Sequence, residues 1–128
     1  MDKSPKLEGT QLAHFEPIAK VTELQIIDTN VGTGDEVQIG ATITAHYTGA
    51  LCKDGTIFQS SHDFGEAVTF GLDQVIAGWT RGVPGMKIGG IRRLIIPSDM
   101  AYGSVRVAAN IPPNSDLVFD IELAAIEK

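Results

Sequence analysis

The sequence predicts an α+β fold in which an antiparallel β-sheet wraps around one short α-helix. Three observations predict it. Several segments, among them 41–48, 68–72 and 117–123, alternate apolar and polar residues with the two-residue period of a half-buried strand. One stretch, Gln74-Val75-Ile76-Ala77-Gly78-Trp79, instead spaces its apolar residues near the helical period. Turn chemistry then joins neighbouring strands directly: Lys53-Asp54-Gly55-Thr56 is a hairpin signal. Strands, one helix, then more strands linked by hairpins make an antiparallel sheet with a segregated helix.

Taken in order, residues 1–20 hold no sustained period, and Pro5, Gly9 and Pro17 interrupt them. They are expected as a flexible tail, with an extra edge strand or a partner-binding segment as the alternatives. Residues 21–128 are expected as one domain. Leu24-Gln25-Ile26-Ile27-Asp28 reads as a strand and Gly32-Thr33-Gly34-Asp35 as a turn. That Gly-Thr-Gly lacks the further glycines, the lysine and the following helix of a phosphate loop. In 41–48, Ile43, Ala45 and Tyr47 share one face, and Thr42, Thr44 and His46 the other. Thr56-Ile57-Phe58-Gln59 returns after the hairpin, and residues 60–65 are loop.

Val68, Phe70 and Leu72 alternate on a strand that feeds the helix. Asp73 is expected to cap the helix and Gly82 to stop it. Val75, Ile76, Trp79 and Val83 would form its apolar stripe. Such a helix is too short to stand alone in water, so it lies against the sheet with Trp79, the only tryptophan, between them. Ile91–Ile96 is a strand ended by Pro97. Residues 98–110 form a long connection around Ala101-Tyr102-Gly103, and Leu117, Phe119, Ile121 and Leu123 mark the last strand.

Composition narrows the function. A chain of 128 residues with 43% hydrophobic and 20% charged residues builds one core. Its formal net charge of −6 argues against nucleic acid or an anionic membrane as partner. One cysteine, Cys52, excludes an internal disulfide and fits a reducing compartment. No apolar run approaches signal-peptide or membrane-span length, so a cytoplasmic protein is expected, and a monomer is expected beside it. His14, His46 and His62 lack metal-ligand spacing, no nucleophile elbow exists, and neither metal nor cofactor is expected.

What the chain does offer is aromatic. Tyr47, Phe58, Phe70, Trp79, Tyr102 and Phe119 come from different strands, the helix and a loop. A sheet that wraps the helix brings several of them together near Trp79. A concave apolar site with phenol hydroxyls suits a small hydrophobic ligand or a proline ring. A plain aromatic core is the competing reading; the two tyrosines weigh against it, because a buried phenol needs a partner.

Six motifs then stand in order. Ala45-His46-Tyr47-Thr48-Gly49, Asp54-Gly55-Thr56-Ile57-Phe58, Val75-Ile76-Ala77-Gly78-Trp79, Ala101-Tyr102-Gly103, Ile111-Pro112-Pro113 and Leu117-Val118-Phe119-Asp120 together resemble the FKBP family of macrolide-binding peptidyl-prolyl cis-trans isomerases, from about Leu24 to Glu127. The resemblance implies the same fold and a pocket whose catalytic set is Tyr47, Phe58, Gln59, Trp79, Tyr102 and Phe119. It implies Val68, Phe70, Val75, Ile76 and Ile111 as substrate contacts. It also implies that the Ile76 N–H and the Tyr102 hydroxyl bond ligand carbonyls. The implied partners are proline-containing peptides, unfolded proteins and macrolide inhibitors, with a binding module of little turnover as the alternative.

Two departures from the family pattern stand out. Gln59 replaces a usual aspartate, and Val68 a frequent aromatic. Strict alternation also puts Phe58 and Gln59 on opposite faces, so both reach one pocket only if the strand bulges there.

Overall fold

Each alternating segment forms a strand in the computed structural model, which describes residues 10–12, 15–63, 65–103, 111–112 and 114–127. The strands are β1 (Gln25–Asn30), β2 (Thr42–Leu51), β3 (Ile57–Ser60), β4 (Val68–Gly71), β5 (Ile91–Ile96) and β6 (Leu117–Ile126). The helix, α1, spans Ala77–Gly82, and single 3₁₀ turns occupy Ser61–Asp63 and Ser98–Met100. The sheet runs in the order β1-β5-β6-β2-β3 with every pairing antiparallel. One edge of β2 divides between two partners: Thr42–Ala45 pair with β4, and Thr48–Ala50 with β3. This is the α+β architecture that the sequence pattern implies.

The inner face carries the alternating set. Ile43, Ala45, Leu94, Ile96, Leu117, Phe119, Ile121 and Leu123 are buried there and pack with Trp79 and Val83. Helix and sheet approach closely because two glycines face the strand. A Cβ on Gly78 would stand 2.5 Å from the Ile96 side chain, and one on Gly82 2.7 Å from Leu94. Gly82 is therefore the last helical residue, seated on β5, rather than a stop beyond the end; the C-cap is Val83.

The helix starts later than its apolar spacing implies. Its N-cap is Ile76, extended at φ −60 and ψ 151, without a side-chain cap, and Asp73 lies outside the helix. Val75 and Ile76 belong to the extended lead-in. Thr80 ties the two parts together by donating its hydroxyl to the Leu72 carbonyl at 2.6 Å. At the other end, buried Arg92 donates Nη1 to the carbonyls of Gly82 and Pro84 at 2.8 and 3.2 Å. Its Nε pairs with Asp28 at 2.6 Å, which holds the guanidinium in place.

The outer face has its own cover. Ala50, Cys52, Ile57, Ile95 and Val118 form a second apolar cluster with Leu12 and Val21, against which Phe15 and Ile18 pack. Gln11 forms an antiparallel bridge to Thr56. The Leu12 amide donates to the Gly55 carbonyl at 2.8 Å, and the Ile18 amide to the Cys52 carbonyl at 2.7 Å. The described residues Gln11, Leu12, Phe15 and Ile18 thus make contact with the sheet or its hairpin. Residues 1–9, 13 and 14 lie outside the described residues.

Candidate active site: an aromatic pocket beside the helix

A cavity of ≈ 470 Å³ opens between the sheet, the helix and its lead-in. Among the described residues it is lined by Tyr47 from β2, Phe58 and Gln59 from β3, and Phe70 from β4. Gln74, Val75 and Ile76 from the lead-in, Trp79 from α1, Tyr102 from the following loop and Phe119 from β6 complete the lining.

Trp79 is the hub of this set. Its ring centre stands 4.9 Å from Phe70, 5.4 Å from Phe119 and 5.8 Å from Tyr47, each met edge-on. Phe58 meets Phe119 in the same way at 5.7 Å. Edge-to-face contacts of this kind add roughly 0.5–1.5 kcal/mol per pair beyond area burial, so the walls are stiff. Tyr47, Phe58, Trp79 and Phe119 are each buried in the walls and yet face the cavity, whereas Gln59 and Gln74 are exposed at its rim.

The β3 wall depends on a break in register. Gly49 pairs with Gln59, but the next residue, Ala50, pairs with Ile57, so the register skips Phe58. This is the bulge that the two consecutive residues require, and it turns both Phe58 and Gln59 to the pocket.

Tyr47 is held from behind. Its amide donates to Ser61 Oγ at 2.8 Å, and its carbonyl accepts from the hydroxyls of Ser60 and Ser61 at 3.3 Å each. Ser61 Oγ also bonds His46 Nδ1 at 2.9 Å, and Ser60 Oγ bonds Thr48 at 2.9 Å. His46 points away from the pocket side of β2 and stacks on His62 at 4.4 Å. The sequence places Ser60 and Ser61 in a loop; their support of Tyr47 becomes visible only once β2 and β3 pair.

Several donors in the site are uncommitted. Among the described residues, neither the Tyr47 nor the Tyr102 hydroxyl makes a hydrogen bond, the Ile76 N–H has no acceptor, and the buried Trp79 Nε1 has no partner. Burial, with neighbouring Tyr102 second, pushes the Tyr47 phenol up from its ordinary value. Burial does the same to Tyr102. Both therefore stay protonated and able to donate at neutral pH.

Nine of the expected site residues thus meet in one cavity. Val68 and Ile111 take other places. Val68 pairs with Ala45 and packs half-buried on the core, and Ile111 is 7% exposed within it. Gln74 joins the lining without any signal in the apolar pattern. Among the described residues no group of three or more His, Cys, Asp or Glu side chains is placed to hold a metal.

Comparison with known proteins accords with this geometry. Residues 34–124 match the family described as FKBP-type peptidyl-prolyl cis-trans isomerase. The chain is 49% identical over 105 residues to the FKBP-type peptidyl-prolyl cis-trans isomerase FkpA of Aeromonas hydrophila, covering 82% of this chain and 38% of that protein. It is 46% identical over 105 residues to a protein of Neisseria meningitidis serogroup B named FK506-binding protein, covering 80% of this chain and 95% of that one. The crystal structure of FkpA from Escherichia coli superposes with a TM-score of 0.75 at 40% identity, covering 81% of this chain and 48% of that chain. The chain therefore belongs to the FKBP-type peptidyl-prolyl cis-trans isomerase family.

Proposed function

We propose that this pocket catalyses rotation about X-Pro peptide bonds, with Tyr47, Phe58, Gln59, Trp79, Tyr102 and Phe119 as its working surface and Phe70, Val75 and Ile76 completing the proline seat. The observation that carries this reading is the set of uncommitted donors around an aromatic cavity: the Ile76 N–H and the hydroxyls of Tyr47 and Tyr102.

The chemistry asks for little more. Resonance sets the barrier to rotation at ~18–20 kcal/mol, and uncatalysed exchange takes tens to hundreds of seconds, roughly. No proton needs to move and no covalent intermediate forms. A twisted amide has less charge separation than a planar one, so an apolar slot favours it relative to water. Donors fixed at the rim hold the flanking carbonyls while the bond turns. Each ~1.4 kcal/mol removed from the barrier gives about tenfold in rate, and the slot and two or three hydrogen bonds supply several such steps.

Proline-containing peptides and unfolded proteins are the substrates in this reading, and a macrolide that mimics proline competes for the same cavity. A cytoplasmic monomer completes it, on the strength of the single cysteine and the acidic composition; fractionation and sedimentation test those two points. The test of function is NMR exchange on a short X-Pro peptide, with and without a macrolide competitor. Accelerated exchange that the macrolide suppresses is expected. Binding without acceleration would leave the pocket as a proline-peptide binding module.

A further inference from the structure

Among the described residues the pocket rim is uncharged, in a chain that is rich in charge. The sequence carries 10 Lys and Arg and 16 Asp and Glu residues, yet among the described residues no charged side chain lines the cavity. The polar side chains that do line it are two phenols, one indole and two amides. The amides come from different elements: Gln59 from the bulged β3, and Gln74 from the lead-in to the helix. Both are exposed, so their ends are free to reorient.

We propose that Gln59 and Gln74 make this pocket indifferent to the charge of the residues flanking the substrate proline, so that acidic X-Pro segments are accepted about as readily as neutral ones. The inference rests on the isomerase reading and adds the class of substrate. A primary amide presents an acceptor oxygen and two donor hydrogens on one short end. Turned one way it donates to a substrate carboxylate; turned the other it accepts from an ammonium or a backbone N–H. A carboxylate at either position would accept only. At a separation of ~6 Å and an effective dielectric of ~40, it would disfavour an acidic substrate residue by about tenfold. The net charge of −6 acts on acidic peptides as well, but the charged groups among the described residues lie outside the lining. At physiological salt, exposed charges more than ~8 Å away are largely screened. Discrimination against acidic peptides therefore grows only at low salt.

The experiment uses the full chain and two peptide series, Ala-Xaa-Pro-Phe and Ala-Ala-Pro-Xaa, with Xaa as Glu, Gln or Lys, at physiological salt. In both series kcat/KM for Glu is expected within about fivefold of that for Gln. Gln59→Glu and Gln74→Glu are each expected to lower the Glu-to-Gln ratio by about tenfold without lowering the Lys-to-Gln ratio. Because the readout is a ratio between peptides, a general loss of activity in a variant does not mimic it. The proposal is overturned if the unsubstituted chain rejects Glu by more than that fivefold in either series, or if either variant leaves the ratio unchanged. If no peptide is turned over, the isomerase reading fails, and the same ratios are read from dissociation constants by Trp79 fluorescence. Absence of both turnover and binding overturns the two readings together.

Discussion

The Tyr47 hydroxyl and the Gln59 side chain line one pocket without a hydrogen bond between them. A neutral amide is a weaker acceptor for a phenol than a carboxylate is, by about 1 kcal/mol. Tyr47 is thus fixed through its backbone, by Ser60 and Ser61, while its hydroxyl makes no hydrogen bond among the described residues.

Gln59→Asp is expected to pin that hydroxyl and pre-organise the site. Turnover efficiency on a neutral X-Pro peptide should rise several-fold, about tenfold at most. The neutral peptide is the one to measure, since the added charge opposes the gain on an acidic one. An unchanged or lower kcat/KM would show that Gln59 does not act through Tyr47.

Ligand binding should perturb the fluorescence of Trp79, the only tryptophan in the chain and the hub of the pocket aromatics. Titration with a macrolide or a proline mimetic should shift its emission along a saturable curve. A flat spectrum, with binding established calorimetrically, would separate Trp79 from the ligand.

β2 and β6 were legible because each buries one face over part of its length, and a half-buried strand writes its period into the residue types; β1, exposed along its whole length, shows no such alternation. β5 ends at Ile96, before Pro97, as the sequence implies, because proline has no N–H for the ladder. The helix start was misread for a related reason. Val75 and Ile76 are apolar because they line a cavity, and at their spacing this looks like a helical stripe. Gln74 left no trace, since a rim amide has the composition of any surface residue. Phe58 and Gln59 could be reconciled only by a bulge, which depends on the pairing partner and not on β3 itself. The contacts of Leu12 and Ile18 leave no periodic signal, because aperiodic chain can still bury scattered apolar side chains, as at Leu12 with 8% exposure.

Gly78→Ala should destabilise the fold although alanine is the better helix former. A Cβ there would meet three atoms of Ile96 at 2.5–2.7 Å. Overpacking of this kind costs about 1–3 kcal/mol, more than the ~1 kcal/mol gained in helix propensity. Urea denaturation reads the loss. The same substitution made together with Ile96→Val should cost less, and equal costs in both backgrounds would locate the strain elsewhere.

Deleting residues 1–20 should lower stability while leaving the pocket intact, because the described part of this segment packs on the second apolar cluster rather than on the pocket. Removing Leu12, Phe15 and Ile18 uncovers Cys52, Ile57 and Val118. Losses of about 3–5 kcal/mol are expected, in the range of large core truncations. Cys52, now fully buried, should become reactive toward a thiol reagent, and peptide turnover should persist below the lowered melting temperature. An unchanged Tm and a protected thiol would show that the segment contributes nothing to the fold.

The same thiol gives an alkaline signature. Burial, with Asp116 second, pushes Cys52 up to about 12 from an ordinary 9.0. The folded chain keeps the thiol protonated where the unfolded chain releases it. Its contribution is thus complete below pH 9.0 and is lost as the pH rises toward about 12. Over that window stability should fall by up to about 1.4 kcal/mol per pH unit from this group. The slope should be shallower in Cys52→Ala, and parallel profiles would remove Cys52 as the source.

The strand order β1-β5-β6-β2-β3 puts β6, the strand furthest along the chain, between β2 and β5. A ribosome making this protein therefore releases the two flanks of the sheet before the piece that joins them. Until residues 117–126 emerge, β2 with β3 and β4 on one side and β1 with β5 on the other expose open edges and apolar faces, which are the features that recruit holdase chaperones to nascent chains. Closure of the sheet thus waits for residues 117–126, and a chain stalled before Leu117 has the helix and β5 but lacks Phe119, Ile121 and Leu123, which complete the core around Trp79.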